Sequence, residues 1–81
     1  MATIYRVEAH DGNSWGFGIR VNPNSRVPEF CALSDADRFE TRAGAFQLGD
    51  TAARVCGGTL RVVCLRNHGG LIEEVTAVPI V

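Results

Sequence analysis

Two segments near the start of the chain alternate between apolar and other side chains. Residues 15–21 (WGFGIRV) place an aromatic or aliphatic side chain at every second position, and residues 3–10 (TIYRVEAH) repeat the pattern. A period of two is typical of β-strands with one buried face. Because the Asp11-Gly12 pair between them is a strong turn signal, the two segments predict an antiparallel hairpin with an aromatic and aliphatic inner face.

Residues 41–56 have the spacing of a helix packed on a sheet. Apolar side chains recur there at intervals of three and four residues, at Ala45, Leu48, Ala52 and Cys56. Thr41 is a candidate N-cap, because its hydroxyl can accept a hydrogen bond from a free amide of the first turn. The pair Gly57-Gly58 can supply the left-handed conformation that ends many helices.

The last third of the chain predicts a second hairpin. Residues 59–66 (TLRVVCLR) and 71–78 (LIEEVTAV) are rich in β-branched side chains, and a Gly-Gly pair lies in the short loop between them. By contrast, residues 22–40 contain two prolines and many turn residues and are predicted to be a loop or insertion. Within that segment, residues 30–33 are either a short strand or a plug on the core.

These elements predict a single α+β domain over residues 1–81 in the order β-β-α-β-β. We expect a four-stranded antiparallel sheet with one helix packed on one face. The helix and the first hairpin are expected to share one core. Its predicted members are Tyr5, Val7, Trp15, Phe17, Ile19, Phe39, Ala45, Leu48, Ala52, Cys56, Leu60, Val62 and Val75.

The third predicted strand is apolar on both faces. Leu60 and Val62 share one face, whereas Val63 and Leu65 lie on the other. A strand that is apolar on both faces is usually covered on both, and one helix covers only one face of a sheet. We therefore expect a second copy of the chain to shield Val63 and Leu65. The expected assembly is a homodimer formed on the open sheet face or an edge strand.

Arg6 and Arg20 are predicted to lie on that same outer face, on neighbouring strands, and with Val63 and Leu65 they form the candidate interaction surface. Small sheet-and-helix domains of this shape bind nucleic acid, so phosphate binding by these arginines is the alternative function. The formal net charge is −1, however, and acids are interspersed among the arginines. A nucleic-acid-binding protein concentrates its basic residues. We therefore favour a non-enzymatic protein-interaction or self-assembling module, which has itself or another protein as partner.

No catalytic or metal-binding motif is recognisable. The three cysteines, Cys31, Cys56 and Cys64, match neither a disulfide framework nor the closely spaced ligand pair of a zinc site. No serine or cysteine is framed by glycines as in a nucleophile elbow, and neither glycine pair leads into a helix as in a phosphate loop. We expect no catalytic residue, no metal and no cofactor.

The sequence favours a cytoplasmic location. The opening residues, MATIYRVEAHDG, lack the basic and apolar regions of a signal peptide. No apolar run approaches the roughly 20 residues of a membrane span. Three cysteines without a disulfide pattern are typical of reduced thiols in the cytosol. We therefore expect no membrane partner.

The order of these motifs resembles that of a family of small bacterial proteins catalogued only as a domain of unknown function. That family has a typical run HDGGW…T-x-x-E-A…GGEL-x-V…DG-x-I. This chain departs from it in its longer insertion at residues 22–40 and in Gly44, where the family run has an acidic residue. The resemblance implies the ββαββ fold and no catalytic residue. The matching segments are His10-Asp11-Gly12 with Trp15, Thr41-Arg42 with Ala45, Gly57-Gly58, the LRVV strand and Gly69-Gly70.

Overall fold

A computed structural model describes residues 2–80 of the chain. Its strands form one antiparallel sheet in the order β3-β2-β1-β4-β5. Helix α1 packs on one face of the sheet, which we call the inner face, and the opposite face is the outer face. The elements are β1 (Ala2–His10), β2 (Phe17–Val21), β3 (Pro28–Ala32), a 3-10 helix (Leu33–Asp35), α1 (Arg42–Val55), β4 (Thr59–His68) and β5 (Leu71–Pro79).

The α+β class and the single covering helix are confirmed, but the expected number of strands is wrong. A fifth strand, β3, lies within the segment that was predicted to be a loop or insertion, and it pairs with β2 so that Ile19 lies opposite Phe30. Pro28 opens this strand at the edge of the sheet, where its missing N–H removes no bond from a central ladder. Two prolines therefore did not exclude a strand there.

The signals that end the predicted elements are confirmed. The Thr41 hydroxyl accepts a hydrogen bond from the Gly44 amide at 3.1 Å, as an N-cap does. Gly57 and Gly58 both have positive φ and follow the last turn of α1. A two-residue turn joins β4 to β5, and both of its glycines also have positive φ, as tight hairpin turns require.

The core lies between α1 and the inner face of the central strands. It consists of Val7, Ala9, Ile19, Ala45, Leu48, Ala52, Leu60 and Val62, with Tyr5, Phe39, Phe46 and Ile80 partly buried against it. Four predicted core members, Trp15, Phe17, Cys56 and Val75, lie outside this core. Phe17 is 44% exposed, because α1 packs mainly on β1 and β4 and leaves the β2 end of the inner face open. Val75 is 40% exposed at a register shift in the edge strand β5, and Trp15 lies on the outer face.

Candidate interaction surface on the outer sheet face

A buried carboxylate lies at the centre of the outer face. Glu8 of β1 is only 3% exposed and receives a guanidinium on each oxygen. Arg6 Nη2 lies 2.8 Å from Oε2, and Arg61 Nη2 lies 2.8 Å from Oε1. Arg61 also reaches Oε1 of Glu74 on β5, at 3.2 Å. A charge this far from water is tolerated because it is paired and hydrogen-bonded on both oxygens.

Trp15 covers one end of this network. The Arg61 guanidinium lies 4.3 Å from the centre of the indole ring, and His10 meets the same ring edge-on at 5.0 Å. Because Arg61 and His10 belong to the outer face, the assignment of Trp15 to the inner core is corrected. Trp15 shares its phase with Phe17 in the sequence, yet β2 begins only at Phe17, so strand alternation does not extend back to it.

The turn that carries Trp15 is held by Asp11. Its Oδ1 accepts hydrogen bonds from the amides of Asn13 and Ser14, at 2.8 and 2.9 Å. Those bonds favour the charged carboxylate and lower the pKa of Asp11 below its ordinary value of 3.8. The adjacent His10 accepts at Nδ1 from the Gly12 amide. These hydrogen bonds define the turn that places Trp15 over the outer face.

Val63 and Leu65 are shielded by their own chain, contrary to the expectation that a second copy must cover them. Val63 is fully buried and Leu65 is 5% exposed. Arg6 lies directly opposite Val63 on β1, and Arg61 lies two residues away on β4. Both arginine side chains form ion pairs with Glu8 and therefore lie along the outer face, where their apolar stems cover Val63 of β4. Val63 is therefore a buried residue and offers no contact surface.

The second part of the outer face is closed by the segment after β3. A Cβ on Gly18 would lie 2.5 Å from the Cβ of Ala36, so glycine is needed for this close approach. The Val21 amide donates to a carboxylate oxygen of Asp37, which ties the segment to β2. Ala36 of the same chain therefore occupies the space over Gly18 on the outer face.

Neither arginine of the predicted surface is free. Arg6 is paired with Glu8, and Arg20 donates to Glu29 at 2.8 Å. This hydrogen bond and the negative charge of Glu29 raise the pKa of Arg20. Hydrogen bonds from Asn22 and Arg20 lower the pKa of Glu29 below its usual range. The structure thus places Arg6 beside Val63, but Arg20 lies apart in its own exposed pair on β2 and β3.

One end of the outer face remains open. At the start of β1, a cleft of about 240 Å³ lies between β5 and the segment that precedes α1. Leu65 is buried in its lining, Ile4 is half-buried, and Ile72 on β5 is 58% exposed. The residues that line it include Ala2, Ile4, Arg38, Leu65, Asn67 and Ile72.

Opposite charges flank this cleft. Residues 37–39 lie beside β1, because the backbones of Tyr5 and Phe39 exchange hydrogen bonds of 2.8 and 2.9 Å, and this places Arg38 at one side. Among the described residues Arg38 forms no ion pair and is exposed. On the other side Glu74 of β5 has a 51% exposed side chain, and its bond to Arg61 uses Oε1 alone.

The candidate interaction surface predicted from the sequence did not include Arg38, Ile72 or Glu74. No signal in the sequence predicts that Arg38 lies beside β1, because that position depends on the non-local pairing of Tyr5 with Phe39. Ile72 and Glu74 lie on the outer face because the register of β5 shifts between its pairing with Cys64 and its pairing with Leu65. Strand alternation alone does not show such a shift.

A second cleft of about 230 Å³ lies at the uncovered end of the inner face. It is lined by Ala9, His10, Asp11, Phe17 and Phe30. Half-exposed Phe17 and Phe30 make it apolar, but no arginine lines it to balance Asp11. The outer cleft has an apolar lining, with Arg38 on one side and Glu74 nearby on β5, so we take it as the candidate site.

No family model, curated protein or solved structure matches the chain significantly. The resemblance drawn from the sequence motifs therefore stays a prediction. Over residues 2–80, the helices are too short or too polar to span a bilayer. What the chain does has to be inferred from the geometry of its surface.

Proposed function

We propose that this chain is a non-enzymatic, cytosolic protein-interaction module that self-assembles into a homodimer through the open end of its outer face. One observation carries the proposal. The cleft exposes an apolar lining and the Ile72 side chain. Elsewhere the outer face is covered by Trp15, by the arginines that pair with Glu8, and by Ala36. Exposed apolar surface rimmed by polar groups is typical of protein contact sites.

The ion pairs of the outer face weigh against nucleic-acid binding as the alternative. Arg6 and Arg20 each neutralise a glutamate instead of presenting a free guanidinium to a phosphate. We expect the protein to pass through a heparin column without retention at low salt. Retention that falls steeply with salt concentration would support the nucleic-acid alternative instead.

The proposal is tested by sedimentation equilibrium over a range of protein concentrations. We expect the wild type to show twice the chain mass of 8.7 kDa at micromolar concentrations. Ile72→Asp places a charge in the apolar contact and should give a monomer. Leu71→Asp is the matched control, because Leu71 is adjacent on β5, more exposed, and on the opposite face of the sheet.

Circular dichroism should show both variants folded, since both side chains are more than half exposed. A wild type that stays monomeric at high micromolar concentrations would overturn the proposal. So would a dimer that Ile72→Asp leaves intact.

A further inference from the structure

We propose that the second copy packs outer face to outer face about a two-fold axis parallel to the strands, with Arg38 of each copy paired with Glu74 of the other. This inference rests on the proposed self-assembly and specifies its geometry. It follows from the order of side chains across the open end of the face.

Charge and apolar groups follow one another across this end of the sheet. Arg38 lies on the β2 side of β1, Ile4 on β1, Leu65 opposite it on β4, and Glu74 opposite Leu65 on β5. The cation and the anion are thus three strand spacings apart, roughly 14 Å, with apolar side chains between them. Arg38 and Glu74 therefore lie on opposite sides of this end of the face.

Only one class of two-fold axis brings Arg38 of each copy to Glu74 of the other. An axis that lies across the strands keeps each side of the face over the same side of the other copy, so Arg38 meets Arg38. An axis parallel to the strands exchanges the two sides, so Arg38 meets Glu74 twice. Two-fold contacts use the same patch on both copies, and like charges opposed across an interface are unfavourable.

The same axis also matches the apolar groups. It passes between β1 and β4, so Ile4 of one copy lies over β4 of the other, next to the exposed Ile72. Ile72 of each copy then lies over the Arg38 side of the opposite cleft, beside Ile4. Because the strands keep their direction, the two sheets pack in the aligned manner that is common for face-to-face sheets.

The offset between Arg38 and Glu74 along the strand direction still allows them to pair across the interface. Arg38 and Glu74 are offset along the strands by two residues, about 7 Å, a distance that the two side chains together span. Glu74 keeps Oε2 for this contact, because Arg61 uses Oε1. Trp15 lies at the other end of the strands, over Arg61, and so stays outside the contact.

Charge reversal tests the geometry. Each of Arg38→Glu and Glu74→Arg alone converts both cross-pairs into repulsions, so each variant should dimerise about tenfold or more weakly than the wild type. An equimolar mixture of the R38E chain and the E74R chain restores two opposite-charge pairs. We therefore expect the mixture to form a heterodimer of near wild-type affinity, measured by sedimentation and by native mass spectrometry.

Controls distinguish a failure of the proposed dimer geometry from a failure to fold and from a failure of the proposed self-assembly. Circular dichroism of each variant shows whether it is folded, and Arg54→Glu on the exposed part of α1 should leave the dimer unchanged. A wild-type dimer that neither reversal weakens would overturn this geometry while the self-assembly proposal stands. Weakening by each reversal without recovery in the mixture would also overturn it. A monomeric wild type would overturn both.

Discussion

The carboxylate of Glu8 lies almost entirely out of water between two guanidinium groups. The same chain contains a comparable pair at its surface, Arg20 with Glu29, whose side chains are 39% and 36% exposed. The two sites differ in burial and in the number of charged partners, because Glu8 pairs with two arginines and Glu29 with one. Comparing them shows how much more a buried, doubly paired carboxylate contributes to stability than an exposed one.

We predict that Glu8→Gln lowers the free energy of unfolding by about 2 kcal/mol or more, because it leaves Arg6 and Arg61 partly buried without their shared counterion. Glu29→Gln should cost much less, since water already screens that pair. Urea denaturation of both variants measures the difference. Equal losses of unfolding free energy in the two variants would show that Glu8 is not buried as described.

A second prediction concerns pH and the turn that positions Trp15. The folded pKa of Asp11 lies below its ordinary value of 3.8, so its carboxylate contributes stability above that pH. The contribution is lost as the pH falls through the lower, folded pKa. We expect Asp11→Asn to be less stable than the wild type at neutral pH, with the difference shrinking below about pH 3.8. Urea denaturation at several pH values measures this, and a difference that grows in acid would contradict it.

At the scale of elements, the segment after β3 closes part of the outer face because Gly18 allows Ala36 to approach it. We predict that Gly18→Ala destabilises the fold by about 1–3 kcal/mol through overpacking, although alanine suits a strand better than glycine. In the double variant Gly18→Ala with Ala36→Gly the clash is removed, so most of that loss should be recovered. Thermal unfolding of the two single variants and the double variant measures the coupling, and additive effects would contradict the contact.

The elements also show what local sequence determines. The helix was predictable because spacing, the Thr41 cap and Gly57 agree with one another. The β4–β5 hairpin was predictable from its glycine pair. By contrast, residues 30–33 were left open between a short strand and a plug on the core, because the pairing with β2 that makes residues 28–32 a strand is not visible in the local sequence. Proline occurs both in turns and in edge strands, so it does not distinguish the two structures in this segment.

At the scale of the whole molecule, the sequence predicts that both sheet faces are apolar but not how they are covered. Arginine stems over Val63 and the indole of Trp15 cover most of the outer face, and this depends on contacts between strands distant in sequence. The candidate site was therefore only partly predictable. Leu65 was identified, but Arg38 and Ile72 were not, because they reach the cleft through tertiary pairing.

The most direct test of the account is an isotope-filtered NOE experiment on a mixture of ¹³C-labelled and unlabelled protein, which detects contacts between copies only. The account predicts cross-peaks that join the methyl groups of Ile72 in one copy to those of Ile4 and Ala2 in the other. Intermolecular cross-peaks that instead involve Leu71 or Phe30, or none at all at high concentration, would contradict it.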